Sequence, residues 1–245
     1  GVSQTEISHY KLGKVVVDDV RLDEIIADLR SNDVDKAVQA IYQLEQVANE
    51  SHILQLRTLL KDDDFFVREA AASPYAQLTG IQALPLLLQT QTQGYEDGHD
   101  NDGLDTVIID LVENHKREAT PILLDMLKSN NSRIRSQAAW LLGFVDSEID
   151  PLPLFDALGD KSSEVRAEAA GALSSFAKYP NVYKVLVESL SDQDENVRVS
   201  VASALGYLGD KRALPMLQIA LRDSSEQVCR TATYAIEQIK RSEKI

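Results

Sequence analysis

The stretch that decides the fold reads Asp192-Gln-Asp-Glu-Asn-Val197-Arg198-Val-Ser-Val-Ala-Ser-Ala-Leu-Gly206. An acidic residue is followed by a Val-Arg pair and then by small and apolar residues at helical spacing. Related stretches begin at Asp62, Asn131, Asp160 and Asp223. Their Val or Ile residues, at positions 134, 165, 197 and 228, are 31, 32 and 31 residues apart. A constant period of this length is typical of a solenoid.

Each repeat also contains a second apolar stretch with helical spacing, for example Ala213-Leu-Pro-Met-Leu217. Gly80 and Gly209 are predicted to end helices, and Pro85, Pro121 and Pro215 to lie in first turns. Residues 14–17 are the only candidate strand. One helix pair is too small to bury its apolar face alone, so neighbouring pairs must stack. We therefore predict an all-α fold, a right-handed α-solenoid of about six antiparallel helix pairs with end caps.

Weaker copies of the pattern complete the array. One is anchored at Lys36, and another opens near Gly103, since the step from Val67 to Ile134 is long enough for two repeats. The register predicts that the array starts on a half repeat at about residue 21 and ends on a lone first helix from Val228. We expect a single solenoid over residues 21–245, with residues 1–20 forming an N-terminal arm or cap.

The nearly complete signature, from Asp192 to Leu217, resembles the HEAT repeat, and specifically the short variety of the phycobilisome-lyase HEAT-like proteins. The resemblance covers about residues 20 to 241. It implies the fold strongly but the function only weakly, since the architecture has many uses. It also suggests two roles for this chain: a bilin lyase or bilin chaperone acting on a phycobiliprotein, or an accessory binder of iron–sulfur assembly components.

Composition excludes several classes of protein. The 245 residues include 25 basic and 39 acidic side chains, for a formal net charge of −14. A nucleic-acid or anionic-membrane partner is therefore not expected. The single cysteine, Cys229, excludes an intramolecular disulfide, and no apolar run reaches the roughly 18 residues of a membrane span. We expect a cytoplasmic protein without a cofactor.

No stretch of the sequence matches a catalytic motif. The four histidines are scattered, and the nucleotide-binding and hydrolase fingerprints are absent. The Asp-to-Arg spacing of six residues, as in Asp160 and Arg166, is interpreted structurally: each Asp is expected to cap a helix, and the arginines to bridge repeats as a ladder. Cys229 occupies the Arg position of the last copy. The chain is expected to be non-catalytic.

The region at about residues 92–103 interrupts the period and is predicted to be an acidic insertion, with Gly94-Tyr-Glu-Asp-Gly-His-Asp-Asn-Asp-Gly103 at its centre. An EF-hand template fails there, because glycine and isoleucine fall at positions one and twelve. A solvated loop and a partner-binding loop both remain open. As binding candidates the insertion supplies Tyr95, Glu96, Asp97, His99, Asp100 and Asp102.

Negative charge is concentrated in residues 1–130, which hold 11 basic and 23 acidic residues. One position of the second helices is also acidic in three successive repeats, and it is expected to face the concave side. Its residues are Asp125, Asp156 and Glu188. Together with the insertion, they would favour a protein partner with a basic or amide-rich surface. The alternative is ordinary surface charge. The leading functional hypothesis is therefore a protein-interaction scaffold or adaptor.

Overall fold

The computed structural model describes residues 21–99, 102–145 and 149–241, and the regular structure of these residues is entirely helical. The candidate strand at residues 14–17 and the expected arm at residues 1–20 lie outside them. The helices are α1 (21–29), α2 (Val34–Val47), α3 (Ile53–Leu59), α4 (Phe65–Thr79), α5 (Leu84–Glu96), α6 (Asp102–Asn114), α7 (Lys116–Met126), α8 (Ser132–Leu141), α9 (Leu152–Ala157), α10 (Ser163–Leu173), α11 (Pro180–Ser189), α12 (Glu195–Leu208), α13 (Leu214–Ala220) and α14 (Glu226–Arg241).

The chain forms two compact units, Gly1–Leu111 and Val112–Ile245, with the boundary inside α6. In the first unit, α4 packs against α2, α3 and α5. The core of this unit is aliphatic and alanine-rich, and it includes Val67, Ala71, Leu84 and Leu88 without solvent exposure. The alanines permit close approach of the helix axes, which the all-α prediction requires.

In the second unit, the even-numbered helices are the first helices of the repeats. α8, α10, α12 and α14 pack side by side, and α7, α9, α11 and α13, the second helices, each pack against the first helix that follows. A methyl group on Gly206 of α12 would lie 2.9 Å from the Cα of Ala235 in α14, so only glycine fits this crossing. The stacked helix pairs of an α-solenoid are therefore present, as the period predicts.

The helix ends agree with the sequence at most positions. Gly80 and Gly209 end α4 and α12 with positive φ angles of 59° and 68°. Pro85 and Pro215 lie in first turns as predicted. The prediction for Pro121 is wrong, because α7 begins at Lys116 and places this proline in the helix interior. Its side chain is exposed, and the helix loses one backbone hydrogen bond there.

Candidate functional site

Arginines bridge consecutive repeats in a fixed geometry. Arg166 donates from Nε and Nη2 to the two carboxylate oxygens of Asp192, at 2.7 and 2.8 Å. Its Nη1 donates to the backbone carbonyl of Asp160 at 2.9 Å. This bidentate arrangement uses the planar shape of the guanidinium. The pKa of the Asp192 carboxyl is lowered, mainly by its hydrogen bonds from Arg166.

The ladder predicted from the sequence is confirmed, and pairs of this kind occur within each of the two units. We call its members the ladder arginines and ladder aspartates. The pairs are Arg68–Asp97 in the first unit and Arg135–Asp160, Arg166–Asp192 and Arg198–Asp223 in the second. In the first unit, Arg30 also bonds to Asp62 from outside the repeat position.

The prediction that Asp62, Asp160 and Asp192 cap the first helices is wrong. The residue that caps α12 is Asp194, whose side chain accepts the backbone N–H of Asn196. Asp192 lies two residues earlier and accepts the N–H of Asp194 at 2.9 Å. The same two-residue offset recurs at Asp160 and Ser162. The aspartate therefore fixes the turn before the helix, while its second function is to bind the preceding arginine.

Cys229 lies on α14 at the position that an arginine occupies in α8, α10 and α12, as predicted. Its Sγ lies 3.3 Å from the backbone carbonyl of Asp223, six residues earlier. The ladder arginines contact the same carbonyl of their own repeats. The half-buried thiol therefore lies where the ladder arginines place their Nη1 group. Unlike those arginines, it forms no ion pair with a following aspartate.

Asp97 is a structural residue, which corrects the view of the insertion as a free acidic loop. Its carboxylate accepts from Nη2 of Arg68 at 2.8 Å, and the Arg68 side chain is only 1% exposed. Among the described residues, the Nε of Arg68 has no hydrogen-bond partner. Asp97 therefore pairs through one bond where the later ladder aspartates use two. The insertion preserves the ladder by placing Asp97 29 residues after its arginine.

The insertion is also largely helical. α5 continues to Glu96, and α6 begins at Asp102, so the connection is short. His99 stacks on Phe65 with ring centroids 4.5 Å apart, and the Tyr95 hydroxyl lies 3.3 Å from Asp105. The side chains of Tyr95, Glu96, Asp97, His99 and Asp102 are at the surface. Asp100 lies outside the described residues.

Sequence reasoning missed Asp105, which stands one residue after the buried Leu104, where other first helices place the ladder arginine. Its carboxylate binds the side-chain amide of the buried Gln91 and the hydroxyl of Tyr95. The sequence did contain a signal. With Leu104 as the anchor of its repeat, an acidic residue falls at the position where α4, α8, α10 and α12 have an arginine.

Three acids of the second unit share one register position in successive second helices. Asp125 lies on α7, Asp156 on α9 and Glu188 on α11, and all three are exposed. We call these residues the second-helix acidic row. The buried residue two positions earlier is Leu123, Leu154 and Leu186 respectively, which fixes the shared register. The carboxylates therefore project from equivalent points of three stacked repeats.

The row differs from the ladder in how its charges are used. Asp125 approaches Lys128 at 4.0 Å, and both side chains are more than three-quarters exposed. The Asp156 and Glu188 side chains have no hydrogen-bond or ion-pair partner among the described residues. An exposed pair such as Asp125–Lys128 contributes little to stability. Three carboxylates therefore remain available for a partner.

A groove of about 460 Å³ opens between α7 and α9, beside the row. Its apolar lining is Leu124, Leu127, Pro153, Ala157 and Val165. Asp156 and Lys128 lie at its edge, together with Asp160, which the ladder already engages. The groove therefore combines an aliphatic floor with charged edges.

Among residues 21–99, 102–145 and 149–241, no group of three or more His, Cys, Asp or Glu side chains is arranged to hold a metal ion. In the same part of the chain, no helix has the length and apolar content that crossing a membrane requires.

The model of the HEAT repeats matches residues 92–174 and 151–237, which together span more than half of the chain. The chain belongs to the HEAT repeat family. This match leaves open the narrower resemblance to the phycobilisome-lyase variety.

A curated relative is Protein YibA of Escherichia coli strain K12, which is 35% identical over 127 residues. The match includes 50% of this chain and 42% of YibA, so the chain spans less than half the length of this relative. Among solved structures, importin beta superposes with a TM-score of 0.57 at 13% identity, covering 91% of this chain and 34% of importin beta. The crystal structure of E. coli YibA gives a TM-score of 0.46 at 17% identity, covering 89% of this chain and 92% of YibA. The likeness to importin beta shows the solenoid fold alone.

Proposed function

We propose that this chain is a non-catalytic interaction scaffold whose second-helix acidic row binds a protein with a basic or amide-rich surface. The observation that supports this is the separation of its charges into two classes. The ladder carboxylates of the second unit, such as Asp192, are paired and nearly buried. The carboxylates of Asp125, Asp156 and Glu188 are exposed at one repeated position.

Stacked repeats give this row a property that isolated surface acids lack. The Arg166–Asp192 and Arg135–Asp160 pairs hold the repeats that present Asp125, Asp156 and Glu188 in a fixed order. Carboxylates fixed in this way need little reorganisation when a cationic surface approaches, which favours affinity and association rate. The interaction should weaken as salt increases, because the screening length is about 8 Å near physiological ionic strength.

The test compares two variants of equal net charge. The first neutralises the row with Asp125→Asn, Asp156→Asn and Glu188→Gln. The control neutralises three exposed acids of the first helices with Glu195→Gln, Glu226→Gln and Glu237→Gln. Immobilised proteins are exposed to an extract of the native host at low and high salt.

The wild type and the control should retain the same salt-sensitive partner, and the row variant should lose it. Equal retention by all three proteins would overturn the proposal, as would equal loss from both variants or no salt-sensitive capture by the wild type. Circular dichroism should show the same helix content for all three.

The exposed side chains of the α5–α6 connection in the first unit belong to the proposal as a separate contact surface. Glu96 and Asp102 are exposed there, whereas Asp97 holds Arg68. The double variant Glu96→Gln with Asp102→Asn should reduce partner capture while leaving the row intact. Unchanged capture would remove the connection from the binding surface.

The resemblance to phycobilisome-lyase proteins supplies the alternative of bilin handling, with an acid pairing the pyrrole nitrogens. Asp97 and Trp140 are candidates for such a pocket, but Asp97 is engaged by Arg68, and Trp140 packs edge-on against Phe144 with ring centroids 5.2 Å apart. Both observations favour structural roles. A shifted absorption band on mixing the protein with phycocyanobilin would support the alternative, and an unchanged spectrum would oppose it.

A further inference from the structure

We propose that the groove between α7 and α9 receives an apolar side chain of the bound partner, flanked by basic residues that pair with Asp125 and Asp156. This inference rests on the proposed function and specifies the partner: a segment with Lys or Arg on both sides of a Leu, Ile, Met or Phe. The groove and the row lie on the same helices, so one ligand can occupy both.

The floor of the groove has the chemistry of an anchor site. Val165 and Ala157 are 1% and 9% exposed, and Leu124, Leu127 and Pro153 form walls that are half-buried. Covering such aliphatic surface is favourable by about 25 cal/mol per Å². A volume of about 460 Å³ exceeds what one aliphatic side chain fills, so the groove also admits part of the partner's backbone.

The edges of the groove select the flanking charges. Asp156 lines the groove from α9, and on the side of α7 Asp125 lies 4.0 Å from Lys128, which lines it. In an extended chain, side chains two residues apart point to the same face. Basic residues two positions before and after the apolar residue can therefore point toward the two acids while the apolar side chain enters the groove. Lys128 already pairs weakly with Asp125 and is readily displaced, since its side chain is 78% exposed.

A short labelled peptide with the sequence Lys-Lys-Leu-Lys-Lys between glycine spacers is the probe. Its affinity for the whole chain is measured by fluorescence anisotropy, alongside peptides with Ala in place of Leu or Glu in place of each Lys. Loss of a buried apolar anchor should weaken binding about tenfold or more. The acidic peptide should not bind.

On the protein, Ala157→Met fills the groove. The residue is compatible with the register, because Met126 holds the equivalent position one repeat earlier. This variant should bind the leucine peptide no better than the alanine peptide, while its helix content and melting temperature stay near those of the wild type. Asp156→Asn should weaken both cationic peptides, and Glu226→Gln, which removes an acid 83% exposed on α14, should weaken neither.

The methyl resonances of Leu124, Leu127 and Ala157 should shift when the leucine peptide is added and not when the alanine peptide is added. If both cationic peptides bind equally to the wild type, the anchor site is wrong while the acidic row stands. If neither binds, both proposals fail. If Ala157→Met unfolds the protein, the methyl shifts of the wild type decide.

Discussion

Arg166 and Asp192 are 26 residues apart in sequence and joined by two hydrogen bonds of 2.7 and 2.8 Å. The same guanidinium binds the carbonyl of Asp160, so a single side chain ties one repeat's leading turn to the next. Both side chains are under 15% exposed. The pair therefore joins two consecutive repeats, and its removal should lower the free energy of unfolding.

Replacing Arg166 with Ala should lower the free energy of unfolding by about 3 kcal/mol, because a nearly buried carboxylate loses its partner. Arg166→Lys should recover part of this loss, since lysine supplies charge without the bidentate geometry. Arg230→Ala is the control, because Arg230 is 72% exposed and 3.8 Å from Glu226. Urea denaturation measures all three, and equal stability of the two alanine variants would refute the role of the ladder.

Asp97→Asn should destabilise the protein by about 2 kcal/mol, because the buried Arg68 would keep its charge without a carboxylate. The neighbouring Glu96 is exposed, and Glu96→Gln should change the unfolding free energy by less than about 0.5 kcal/mol. Thermal denaturation of the two variants compares residues that are adjacent in sequence. Equal melting temperatures would restore the view that the insertion acids serve only at the surface.

Stability should fall in acid because the three ladder aspartates of the second unit have lowered pKa values. Hydrogen bonds from arginine are the main cause at Asp160, Asp192 and Asp223. The unfolded chain then binds protons at a higher pH than the folded chain, so the stabilisation is present above the ordinary pKa of 3.8 and is lost as pH falls through the lower folded values.

The pH dependence of the unfolding free energy checks this assignment. Asp192→Asn should be less stable than the wild type at neutral pH, and its curve should fall less steeply in acid. Glu226→Gln should follow the wild type throughout. Parallel curves for the wild type and Asp192→Asn would mean that Asp192 contributes nothing to the acid response.

Glu168 on α10 should show the opposite sign. Burial, and secondarily the charge of Glu164, raises the pKa of its carboxyl above the ordinary 4.5. The folded state therefore binds a proton more readily than the unfolded state, and the charged form is destabilising above the raised pKa. Glu168→Gln should increase the unfolding free energy at neutral pH, with a difference that disappears in acid. A less stable Gln variant at neutral pH would contradict this.

The regular period allowed the helix order to be predicted. Val165, Val197 and Val228 are buried at the expected positions, and the first helices of the second unit follow them. The arginine bridges could also be predicted from the repeat, because several copies contain both an Asp and an Arg at fixed positions. The capping residues were mispredicted because Asp192 and Asp194 are both of a residue type that is favoured at helix N-caps. The residue type alone therefore does not show which of the two caps α12.

The insertion was harder to predict because its role depends on a long-range partner. Asp97 looks like any loop acid until Arg68 is known to be buried nearby. A signal did exist: an Asp follows the later ladder arginines by 25 or 26 residues, and one follows Arg68 by 29. The groove between α7 and α9 had no such signal, because it depends on the separation of two helices.

The binding claim is tested most directly by site-specific photocrosslinking. A benzophenone side chain is placed at Leu152, which is 57% exposed on α9 one helical turn from Asp156, or at Tyr234, which is 56% exposed on α14. Each purified protein is irradiated in an extract of the native host. We expect a salt-sensitive adduct from position 152 and none from position 234; an adduct from position 234 alone, or equal adducts from both, would contradict the binding role of the second-helix acidic row.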